Sequence, residues 1–190
     1  MKNNRLYIYG AIFAVAALAF GCQLDDSFEV PVEEKVPISL KGDINQLAVT
    51  RASDNGFAAG DQVGIWAVNY TEDTPGTLTL KDNQATNVRF TFDGSSTWTP
   101  DYDIYYKDKN TKVDIYGIYP YTSAISSIEA QPFEVQEDQS TISSHGSMGG
   151  YEASDFLWAK HEAAVPSPSV IQLLFQHKMS CVVVTLEKGN

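Results

Sequence analysis

From Val36 onward the chain is written in short segments of β-forming residues separated by Gly, Asn, Asp and Pro, and no stretch there carries the apolar period of a helix. That pattern restricts the fold to an all-β, antiparallel sandwich of roughly eight to nine strands. Val36, Ile38 and Leu40 alternate with polar Ser39 and Lys41 as a first strand, and a short apolar stretch from Leu47 to Thr50 ends at Arg51. Val63 to Val68 is apolar on both faces and reads as a central strand. Val88, Phe90 and Phe92 alternate with Arg89 and Thr91, and Asp93-Gly94 supplies the turn that follows. Ile104 to Tyr106 and Val113 to Tyr119, joined through Lys107 to Asn110, read as a tyrosine-rich hairpin. Strands near Phe156 to Ala159, Val170 to Phe175 and Cys181 to Leu186 follow a flexible loop at Ile142 to Gly150.

Ahead of this region, residues 1–21 have the layout of a secretory signal: basic Lys2 and Arg5, an apolar run from Tyr9 to Phe20, then small residues. The run is about a dozen residues, short of the ~20 that a membrane-crossing helix needs. Leu18-Ala19-Phe20-Gly21-Cys22 resembles the lipobox of bacterial lipoproteins, with Ala19 where Leu or Val is usual. The resemblance implies acylation of Cys22 and an outer-membrane anchor. Two or three acyl chains hold firmly, because each buried methylene contributes ~0.8 kcal/mol. Residues 22–35 are acidic and proline-containing, which suits an extended tether. Within it, Asp25 and Asp26 resemble the surface-export signal of Bacteroidetes lipoproteins.

Removing the signal takes Lys2 and Arg5 with it, so the formal charge moves from −11 to −13. A surface this acidic repels phosphate backbones and argues against nucleic-acid binding. There are two cysteines; with Cys22 lipidated, Cys181 has no partner within the chain and reads as a buried thiol.

A search for chemistry returns little. His145, His161 and His177 stand sixteen residues apart, without further ligands at metal-site spacing. Gly146-Ser147-Met148-Gly149-Gly150 lacks the first glycine of a nucleophile elbow, since residue 145 is histidine. Asp108 to Lys112 has lysine where a calcium loop needs a ligand, and reads as a turn. Asp101 and Asp103 read as solvated surface, and His177 as a hydrogen-bonded structural imidazole. No catalytic residue, cofactor or metal is expected.

Three stretches taken in order resemble the fimbrillin family, the major and accessory pilins of Bacteroidetes. They are Phe57-Ala58-Ala59-Gly60-Asp61-Gln62-Val63-Gly64-Ile65-Trp66; Val113-Asp114-Ile115-Tyr116-Gly117-Ile118-Tyr119-Pro120-Tyr121; and Ser154 to Ala159 followed by Leu174-Phe175-Gln176-His177-Lys178-Met179. The resemblance implies a transthyretin-like β-sandwich over residues 36–190, matching the family's N-terminal domain and lacking its second domain. It implies a surface-exported lipoprotein subunit of fimbriae, structural or anchoring, that supports adhesion. Its partners would be the outer membrane, other fimbrial subunits and an unidentified ligand on a host or bacterial surface.

Ala48-Val49-Thr50-Arg51-Ala52 resembles the site where a trypsin-like protease trims family pilins, which makes Arg51-Ala52 a candidate processing bond. In the family, loss of the leading strand opens a groove that a partner's strand fills by β-strand addition. Val36, Ile38 and Leu40 would then form the removable plug. The alternative is a lipid-anchored surface module that uses aromatics such as Trp66, Trp98 and Trp158 to recognise glycan or protein.

Overall fold

The protein is described by a computed structural model covering residues 34–45, 56–141 and 148–179. Seven strands occur among these residues: β1 Leu40–Ile44, β2 Gln62–Asn69, β3 Ala85–Phe92, β4 Trp98–Pro100, β5 Val113–Tyr119, β6 Leu157–Ala164 and β7 Ile171–His177. Among the described residues the helical content is one 3-10 turn at Glu152–Ser154, so the all-β expectation holds. Two expected segments, Leu47 to Thr50 and Cys181 to Leu186, lie outside the described residues.

The strands form one sheet in the order β1-β7-β6-β5-β2-β3-β4, antiparallel throughout except for β1, which runs parallel to β7. The sheet folds over on itself until its two edges approach. An ideal Cβ on Gly42 of β1 would lie 3.2 Å from the Trp98 ring of β4. Val63, Ile65 and Ala67 of β2, Val88 and Phe90 of β3, Val113 and Ile115 of β5, and Leu173 and Phe175 of β7 share one core. Fully burying an aliphatic or Phe side chain of this kind contributes ~1.5–3 kcal/mol. On the other face of β2, Trp66 and Val68 are also buried, which explains why this strand reads as apolar on both sides.

Local turn chemistry follows the residue types. Gly60 has φ +93°, a backbone conformation that disfavours side chains, and Asp61 Oδ2 accepts the Ala58 N–H at 2.7 Å where β2 is launched. Asp93 accepts the N–H groups of Ser95, Ser96 and Thr97, closing the β3–β4 hairpin. Asp108 accepts those of Asn110 and Thr111, as a turn and not an ion site requires.

The tyrosine hairpin is corrected. Ile104 to Tyr106 does not pair with β5; Pro37 and Tyr105 form an antiparallel bridge instead. β5 lies between β2 and β6. Closeness in sequence suggested the hairpin, but the leading segment supplies the hydrogen-bond partner.

Candidate functional site

The segment from Val36 to Asn45 is one extended run that changes partner midway. Tyr106 N–H donates to the Val36 carbonyl and Ile38 N–H to that of Ile104, both at 2.9 Å. The Ile171 N–H then donates to the Ser39 carbonyl at 2.8 Å. From there β1 runs along β7 in register from Leu40↔Ile171 to Ile44↔Phe175. Asn45 N–H closes the ladder on the Phe175 carbonyl at 2.7 Å.

Alternation follows from the pleat. Ile38 is in the core, with Val36, Leu40 and Ile44 packed against it, whereas Lys41 and Asp43 are exposed. Val36, Ile38 and Leu40, singled out in the sequence, are thus brought together on one face. The row continues through Gly42 and Ile44, which the sequence reading missed because a glycine interrupts the apolar pattern.

Beneath Leu40 and Gly42 lies a small apolar cavity lined by Val63, Ile65, Phe90, Trp98, Leu173 and Phe175. Trp98 and Phe175 of its lining belong to an aromatic cluster centred on Phe57. That ring meets Trp98 edge-on at 4.9 Å, Phe175 at 5.3 Å and Tyr119 at 5.5 Å, while Phe92 stacks on Trp98 at 4.9 Å. The Trp98 Nε1 donor is buried here without a hydrogen-bond partner. Removing the leading strand would uncover this apolar surface and leave the N–H and C=O groups of β7 unpaired along one edge.

The polar groups serve the scaffold. Asp114, 1% exposed, accepts the Ala163 N–H at 2.9 Å and faces Lys160 Nζ at 3.2 Å. Ala163 has φ +53°, beside the irregularity in the β5–β6 pairing, and the carboxylate holds that backbone in place. Burial alone would push the Asp114 carboxyl up. Hydrogen bonds from Ala163, Tyr70 and Lys160 outweigh it and hold the group below the ordinary carboxylate range. Asp61 is pushed the other way, because burial outweighs the bonds from Ala58 and Tyr119. His177 Nδ1 pairs with Asp155 at 2.8 Å, the structural pairing expected of it. Asp101 faces Arg89 at 3.1 Å and both are surface groups. Among the described residues no group of three or more His, Cys, Asp or Glu is placed to hold a metal ion.

Of the three tryptophans considered for a binding platform, Trp66 and Trp98 are buried, at 3% and 7% exposure. Trp158 is half-buried beneath Lys178, whose Nζ lies 5.0 Å from the ring centroid. They do not form a shared exposed surface, which removes the main support for the glycan- or protein-binding alternative. Cys22, Arg51 and Ala52 lie outside the described residues.

A family model described as fimbrillin-like matches residues 50–190. A Bacteroides ovatus protein described as a fimbrium tip subunit, Fim1C, is 29% identical over 98% of this chain; the chain spans 36% of that relative's length. A crystal structure of a cell adhesion protein from Bacteroides ovatus superposes with a TM-score of 0.54 at 19% identity, covering 77% of this chain and 54% of that one. That likeness establishes the fold. A fimbrial protein from the same species gives a TM-score of 0.48 at 23% identity, with 78% and 30% coverage.

Proposed function

Since the chain belongs to the fimbrillin-like family, we propose that it is a non-catalytic fimbrial subunit, exported as a lipoprotein and assembled by β-strand addition. In this reading residues 1–21 direct export and Cys22 carries the acyl chains. Residues 22–35 space the domain from the outer membrane, and the assembled fimbria supports adhesion.

The observation that carries the reading is the leading strand. It supplies a row of apolar side chains to the core yet belongs to the sheet's edge, where its backbone pairs with β7 and with Ile104 to Tyr106. Main-chain hydrogen bonds and alternate side chains are the two elements that strand addition uses for affinity and register. A second strand of like pattern would satisfy the same partners. Arg51 follows the strand in sequence, so cleavage there would cut the plug from the body of the domain while leaving both intact.

The test is made on cells producing the chain, comparing the unaltered protein with Arg51→Ala. Sheared fimbriae should contain the chain beginning at Ala52. The Arg51→Ala form should stay in the membrane fraction as an uncut, acylated monomer. Incorporation of uncut Arg51→Ala chain into fimbriae at the unaltered level would refute processing as the switch.

A further inference from the structure

We propose that Gly42 and the Trp98 ring beneath it form a notch that sets the register of the strand filling the groove. The partner strand that replaces residues 36–44 must therefore carry glycine at the matching position. This rests on the strand-addition reading and names the partner's chemistry.

An alternating apolar pattern by itself does not fix register. Sliding the strand by one residue turns Lys41 and Asp43 inward and is rejected by the core. Sliding it by two restores an apolar row, and only a position unlike the others can reject that slip. Position 42 is such a position. Its neighbours in the inward row, Leu40 and Ile44, carry large side chains, whereas a Cβ at Gly42 would lie 3.2 Å from both Phe175 Cε2 and Trp98 Cζ2 and 3.3 Å from Trp98 Cε2. A two-residue slip in either direction would drive Leu40 or Ile44 into that space.

The two rings are braced by other aromatic side chains. Phe175 is fully buried, Phe57 packs edge-on against both, and Phe92 stacks on Trp98 while meeting Phe57 edge-on at 6.5 Å. Glycine inside a strand is unfavourable relative to alanine and commonly marks a close approach of backbone to another group. Here that group is an indole, and the paired residue on β7 is Leu173. The fitting occupant is an extended segment running parallel to β7, with apolar residues facing inward at the positions of 36, 38, 40 and 44 and glycine at that of 42.

Two measurements test this. In the full chain, Gly42→Leu, Trp98→Ala and the double variant form a cycle read by amide exchange of residues 36–44, with Lys41→Leu as the outward-facing control. Gly42→Leu should speed exchange by about tenfold or more, as overpacking does. The same change should have less than about a threefold effect once Trp98→Ala has opened the notch. If Gly42→Leu alone does not fold, the double variant compared with Trp98→Ala decides. An equal loss in both backgrounds, or no change on Gly42→Leu, overturns the proposal. Separately, trypsin-treated chain is offered labelled peptides VPISLKGDI and VPISLKLDI. The glycine peptide should enter about tenfold faster or more, and equal entry overturns the partner's glycine requirement. Entry of neither refutes strand replacement itself and leaves Gly42 setting only the chain's own register.

Discussion

Ile38→Ala probes the seating of the leading strand most sharply. Ile38 is 5% exposed, its N–H is bonded to Ile104, and its side chain belongs to the shared core. Truncating a buried isoleucine to alanine costs ~2–5 kcal/mol, depending on how far the surroundings close over the lost volume. An edge segment held by a few ladder bonds can settle inward, which places the expected loss at about 2–3 kcal/mol. At ~2–4 °C per kcal/mol for a domain of this size, the melting temperature should fall by roughly 4–12 °C. Urea unfolding of the full chain should show a lower midpoint at unchanged slope, meaning lost stability without a changed denatured state. Leu174→Ala, at an outward and exposed position of β7, is the control and should stay within about 0.5 kcal/mol. A loss below about 0.5 kcal/mol for Ile38→Ala would show that the leading strand is not seated in the core in solution, and the groove argument would fall with it.

Phe57→Ala should destabilise by about 3 kcal/mol in the same urea assay, since it removes the ring that touches Trp98, Tyr119 and Phe175 at once. Asp114 sits below the ordinary carboxylate range in the folded protein, so its contribution is present above the unfolded value near 3.8 and is lost as pH falls below it. Stability measured from pH 6 to pH 2.5 should therefore drop at the acid end, and Asp114→Asn, which keeps an acceptor for the Ala163 N–H, should show a shallower drop; parallel curves would contradict this. Cys22→Ser should lack acyl chains by intact mass and leave the membrane fraction, and a Cys22→Ser form that stays membrane-bound would contradict lipidation at that residue.

Legibility in the sequence followed the physics of each element. β2, β3 and β5 were readable because hydrophobic period and burial coincide in them, as Val88 and Phe90 against Arg89 show. The parallel pairing of β1 with β7 was not, because it joins residues 40–44 to 171–175 across most of the domain and no local pattern encodes such a partner. Local reasoning also joined Ile104–Tyr106 to β5, when the bridge to Pro37 needed knowledge of where the leading segment lies. The groove was half legible. Its plug showed as Val36, Ile38 and Leu40, but its floor mixes Trp98 and Phe175 from strands far apart in sequence, and nothing local to Trp98 pairs it with Phe175. Gly42 drew no reading from the sequence, and it marks a close approach of the two sheet edges.

The central claim is that residues 36–44 are a separable part of this domain, held by an edge ladder and an apolar row and released through Arg51. Limited trypsin digestion of the folded full chain, followed by N-terminal sequencing and by gel filtration with and without denaturant, tests it directly. Cleavage should come first after Arg51, exposing Ala52, with the fragment bearing residues 36–44 co-eluting with the body under native conditions and separating in denaturant. Excess peptide of the same sequence should then displace it. Arg51 resisting trypsin while Lys107 and Lys109 are cut, or a fragment that no competing strand displaces, would contradict the account.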